Sequence, residues 1–171
     1  LMTIRPFVFI GLGGTGGKTL SVMYDLLGQR LAQAGIREWP KSWQLLHVDV
    51  AAHPDPATAG MPGTLPRRWY HPLTTDASNY PGADDVVDKG LRSTGLVRHH
   101  AWNSWRPWHP DEVPVDIKRG AGQWRALGRV ALQAGLDKVA DRISLCSTEI
   151  KQAPAQELRA IQLAMGSAPQ D

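Results

Sequence analysis

Only one cysteine, Cys146, stands in the 171 residues. A lone thiol excludes an internal disulfide and a cysteine-based zinc site. It suits a reducing compartment. Lysine and arginine form no dense run: 19 of them are scattered among 16 acids, for a net charge of +3 and a pI near 9.2. That balance leaves no nucleic-acid footprint but suits an anionic ligand. No apolar run is long enough to cross a bilayer. The N-terminal one, Phe7 to Ile10, is cut at once by Gly11, and no small-residue cleavage pattern accompanies it. Internal repeats are absent. The expectation is a cytoplasmic protein with neither a membrane nor a nucleic acid as partner. The chain opens Leu-Met rather than Met, which suggests a fragment boundary.

What is present is enough for one domain with a core: 42% of the residues are apolar. RPFVFI, residues 5–10, reads as a buried strand bounded by Pro6 and Gly11. Lys18 to about Ala34 reads as a helix, with Leu20, Met23, Tyr24, Leu27 and Leu31 on one face. WQLLHVDV, residues 43–50, reads as a second buried strand. Strand, helix, strand predicts a parallel βαβ unit with a right-handed crossover, hence an α/β fold.

Residues 51–118 are different. They hold nine of the thirteen prolines and show no long periodic segment, only a short helix near Ala83 to Leu91. So long an irregular connection reads as a surface insertion. Within it, His99 to His109 gathers three histidines and three tryptophans. The histidine spacing fits no standard zinc pattern, and the tryptophans read as anchors pinning the insertion to the domain. A helical pattern resumes from Gln123 to about Gln152, with Leu132, Leu136, Val139, Ile143, Cys146 and Ile150 as its apolar stripe. Pro154 ends it, and one more short helix follows.

The chemistry concentrates in FVFIGLGGTGGKTL, residues 7–20. A P-loop needs G-x-x-x-x-G-K-[ST]; Gly17-Lys18-Thr19 supplies the end, but the required first glycine falls on Leu12. Gly11, Gly13 and Gly16 match the dinucleotide fingerprint G-x-G-x-x-G between a strand and a helix. The acid that fingerprint expects at the end of the second strand, about 20 residues on, would be Asp49, which lies well beyond that distance, so the match is partial. A second glycine turn, RGAGQWRALGR at residues 119–129, also feeds a helix N-terminus, where backbone N–H groups attract anions.

This pair of turns resembles the tubulin/FtsZ superfamily of GTP-binding proteins, and in particular its bacterial tubulin-like domain proteins. FIGLGGTGGKTL is similar to the family's first phosphate loop. HVDVAAHPD is similar to the second strand and the following loop, where an acid sits near magnesium. RGAGQWRALGRVAL is similar to its third loop, with Gly128-Arg129 matching the Gly-Arg of FtsZ. The resemblance implies a Rossmann-like parallel sheet with flanking helices. It implies GTP and Mg²⁺ as cofactors, slow GTP hydrolysis, and a homo-oligomer or filament in the intact protein. Gly13, Gly14, Thr15, Gly16 and Gly17 would contact the α- and β-phosphates, with Lys18 adding a charge-assisted bond and Gly11 closing the turn. Asp49 would lie near Mg²⁺. Ala121, Gly122 and Gln123 would face the γ-phosphate. No catalytic base is assigned. The family's Gly-Gly-Gly-Thr-Gly-Ser-Gly loop does not occur in these residues, so the reading expects 1–171 to be one incomplete domain, the N-terminal portion of a longer protein. Two other classes stay open: an NAD(P)-binding Rossmann oxidoreductase or sensor using Gly11, Gly13, Gly16 and Asp49, and an interaction module that binds no nucleotide.

Overall fold

A computed structural model describes residues 4–56, 65–93, 113, 115–122 and 124–167. The His99–His109 stretch and Gln123 lie outside these residues. In chain order come β1 (Phe7–Leu12), α1 (Gly13–Gln33), β2 (Trp43–Asp49), β3 (Tyr70–Pro72) and α2 (Tyr80–Ser93). Then follow α3 (Arg125–Ala134), α4 (Leu136–Lys151) and α5 (Glu157–Ser167). Short 3₁₀ turns at Arg67–Trp69 and Ile117–Arg119 precede β3 and α3. The strands form a three-stranded parallel sheet in the order β1-β2-β3 with helices flanking it, the α/β architecture expected.

The centre of the sheet follows from composition. β2 is buried at every position except Asp49, as a near-continuous apolar strand in a covered parallel sheet should be. β1 occupies an edge, and Phe9, Ile10 and Leu12 on it are 43–64% exposed.

The chain divides into two compact units. One comprises Leu1–His47, Pro56–Tyr70 and Ala140–Asp171; the other comprises Val48–Asp55 and His71–Val139. In the first unit, Leu20, Leu45, Leu65 and Trp69 form a core that Met23 and Tyr24 join from α1. Leu31, Trp43 and Ile161 form a second cluster. Tyr24, Trp39 and Trp69 meet with ring centroids 4.8–5.2 Å apart. Glu157 opens α5 and ties that helix to the start of β2. Its carboxylate accepts the N–H of Lys41 and of Ser42, both at 2.9 Å, and the Ser42 hydroxyl. Burial works against ionisation of Glu157, but the bonds from Ser42 and Lys41 outweigh it and lower its pKa. The second unit closes around Val50, Tyr80, Val87, Ile117, Leu127, Val130 and Ala131.

Four expectations need correction. β1 runs from 7 to 12, past Gly11, rather than from 5 to 10. The helix expected from Lys18 begins at Gly13. The insertion contributes a third strand, and its helix spans 80–93 rather than 83–91. The long helix expected from 123 to 152 is two helices, parted at Gly135. The Gly135 N–H is shared between the carbonyls of Ala131 and Leu132, and the backbone there drops out of helical geometry. Val139 and Cys146 are buried as expected, but Leu136 and Ile143 are exposed, and α3 buries Leu127, Val130 and Ala131 instead.

Candidate functional site

β1 passes into α1 with no intervening loop. Leu12 caps the helix in extended geometry and supplies no side-chain cap, and the first turn holds no acid. Gly13 follows at φ +66°, a left-handed conformation that costs a residue with a Cβ about 1–2 kcal/mol. The N–H groups of this first turn have no acceptor within the helix, and the helix dipole places positive partial charge there. Thr15 and Lys18 are exposed beside it. The arrangement can hold an anion by backbone donors.

Each glycine has a separate job. A Cβ on Gly11 would lie 2.5 Å from the Gly16 carbonyl oxygen, and one on Gly16 would lie 2.7 Å from the Gly11 carbonyl carbon. These two glycines let strand and helix backbones touch. Gly17 makes room for an imidazole: all three atoms nearest its missing Cβ belong to His47. His47 rises from β2, 8% exposed. Its Nε2 lies 3.0 Å from the Gly13 carbonyl oxygen. A carbonyl only accepts, so Nε2 carries the proton. Tyr70 meets the ring edge-on at 5.1 Å. The sequence reading missed His47; its signal was a polar residue, one of two with Gln44, inside a mainly apolar buried strand.

In the second unit, Asp49 ends β2. Its carboxylate accepts the Val50 N–H at 2.7 Å, and its carbonyl accepts the Leu73 N–H at 2.7 Å. The loop after β2 is tied to the 3₁₀ turn at 117–119 by a bond from the Ala52 N–H to the Lys118 carbonyl at 2.8 Å. Beyond that turn the backbone reverses twice, at Gly120 (φ +117°) and Gly122 (φ +56°). Ala121 between them packs on the Ile117–Leu127 cluster, and its methyl lies 3.7 Å from where Gly128 would carry a Cβ. α3 then starts at Arg125, again with no side-chain cap and no acid in its first turn. Among the described residues, both glycine turns therefore lead into helix N-termini whose capping residue makes no side-chain bond.

One carboxylate at a strand end fits magnesium, which takes one or two carboxylates and leaves its other positions to phosphate and water. It does not make a protein-only cage, and no group of three or more potential ligands gathers among the described residues. No helix among them is long and apolar enough to cross a membrane.

The chain matches the family described as tubulin-like over residues 8–168 and belongs to it. No curated protein and no solved structure matches it.

Proposed function

We propose that this chain binds a guanine nucleotide with Mg²⁺, as the phosphate-binding part of a cytoplasmic tubulin-like GTPase that assembles head to tail when intact. The observation that carries the reading is the uncapped, acid-free N-terminus of α1, set directly after a parallel strand in a tubulin-like chain. Backbone N–H groups of Gly13 to Gly17 bind the phosphates, and Lys18 adds charge. The roles of Asp49 toward Mg²⁺ and of Ala121, Gly122 and Gln123 toward the γ-phosphate belong to the same proposal. Magnesium supplies neutralisation of phosphate charge. The chain's own part is to bind and orient, so these residues alone hydrolyse GTP little or not at all.

Thr15→Asp tests the carrying observation. An acid in the first turn of a helix is compatible with folding, but it sets a carboxylate among the phosphate donors. GTP affinity should fall at least about ten-fold, or about 1.4 kcal/mol, with the thermal midpoint held or raised. Asp49→Asn should abolish the gain in affinity that Mg²⁺ brings. Unchanged GTP affinity in Thr15→Asp refutes the reading. The close Gly11–Gly16 approach also suits a dinucleotide turn. NAD binding that survives Gly122→Trp would favour that alternative.

A further inference from the structure

Away from the glycine turn, the first unit holds a cleft of about 340 Å³ at the N-terminal end of β2. Ligands of parallel sheets sit at the C-terminal ends of the strands, so this cleft is separate from the phosphate turn. Trp39, Trp69, Lys41, Arg68 and Arg142 line it, with Glu149 as its one acid. Three cations line it against one carboxylate, and the Glu157 carboxylate lies next to Lys41.

The walls are fixed in advance. The Trp39 indole N–H donates to the Trp43 carbonyl at 2.6 Å. Trp39 and Trp69 pack at 5.2 Å between centroids, inclined by 63°. The Arg68 guanidinium lies 4.5 Å over the Trp69 ring, and Arg142 donates to the Arg68 carbonyl at 2.5 Å. Cys146 lines the cleft as well, 4% exposed, and burial raises its pKa and keeps the thiol protonated at neutral pH. It therefore adds no negative charge.

We infer that this cleft binds a small planar aromatic anion. The ring rests against the accessible part of the Trp39 indole and the exposed Leu145 side chain, with buried Trp69 behind them, and its carboxylate, phosphate or sulfonate is held by Lys41 and Arg68. Indole faces reward flat apolar surface, and guanidinium and ammonium donors make their strongest bonds to anionic oxygens. The volume lies at the low end of ligand pockets, about 300–1,000 Å³, which limits the ligand to one or two fused rings.

The test is fluorescence titration of the full chain, with GTP and Mg²⁺ saturating, using two probes of like shape. 2-Naphthalenesulfonate is anionic, and 2-naphthol is neutral at pH 7. The sulfonate should bind at one site per chain, at least about ten-fold tighter than the neutral probe. Arg68→Glu, at an exposed residue, should weaken the sulfonate at least about ten-fold and the neutral probe far less; Lys41→Gln, which touches neither indole contact, should act on the sulfonate in the same direction more weakly and leave the neutral probe unchanged. Cys146 is the single thiol of the chain, so bound sulfonate should also slow its labelling. Equal affinity for the two probes, insensitivity to Arg68→Glu, or a sulfonate site that appears only when GTP is removed would each overturn the inference.

Discussion

Gly17→Ala puts a number on the fit beneath the phosphate turn. Gly17 lies inside α1, so alanine gains about 1 kcal/mol of helix propensity. Against this, its methyl enters the His47 ring, 2.5 Å from Nε2 and 2.7 Å from Nδ1. Forcing a methyl into a filled site costs about 1–3 kcal/mol. Moving the ring also breaks its bond to the Gly13 carbonyl, worth about 1 kcal/mol net. The sum is a loss of about 1–3 kcal/mol. Urea unfolding followed by tryptophan fluorescence should show the midpoint falling by roughly 1 M. His47→Ala supplies the control. With the ring gone the methyl meets nothing, so Gly17→Ala in that background should be neutral or stabilising by up to about 1 kcal/mol. A wild-type midpoint in the single variant refutes the reasoning, as does the same loss in both backgrounds. GTP affinity should fall in Gly17→Ala, because the carbonyl that His47 steadies belongs to the first residue of the turn.

The Glu157 bonds predict a pH dependence. The folded pKa lies below the ordinary carboxylate value, so the stabilisation is full above that value and is lost as pH falls through the lower one. Glu157→Gln should cost about 1 kcal/mol at neutral pH, the difference between hydrogen bonds to a charged and to a neutral acceptor. It should also flatten the loss of stability as pH falls through and below the ordinary carboxylate range; parallel curves for variant and wild type would exclude the carboxylate as the source. At the open edge of the sheet, Ile10→Lys should suppress concentration-dependent association in sedimentation velocity, since edge lysines block strand pairing. A wild type that sediments as a monomer at every concentration would show that the exposed β1 residues are not adhesive.

The outline of the fold was legible where one rule dominated. Apolar runs marked β1 and β2, and the three-and-four spacing of Leu20, Met23, Tyr24, Leu27 and Leu31 marked α1. The start of α1 was not legible, because glycine propensity argues against helix at 13–17. Backbone contact between Gly11 and Gly16 overrides that preference. β3 escaped notice because three residues carry no period, and its neighbour Trp69 earns its burial from aromatic partners far away in sequence. The break at Gly135 was visible as a glycine within a periodic stripe, a position where isolated glycine is often tolerated. Of the site, the glycine turns and Asp49 stood out by residue type. His47 did not, since only the folded chain brings it under Gly13 and Gly17.

The order of segments in the two units has a consequence for synthesis. The unit that carries the phosphate turn is interrupted twice, and its last segment begins at Ala140. The Glu157 carboxylate meets a backbone N–H 116 residues behind it. At roughly 5–20 residues per second, ribosomal synthesis separates the two by roughly 6–23 s. Through that interval Leu31 and Trp43 wait for Ile161, the residue that completes their cluster, while most of the other unit has already emerged. The nascent segment around β2 therefore carries apolar side chains whose partners are synthesised last. The strand and helix that read first in the sequence are among the last to be closed in the folded molecule.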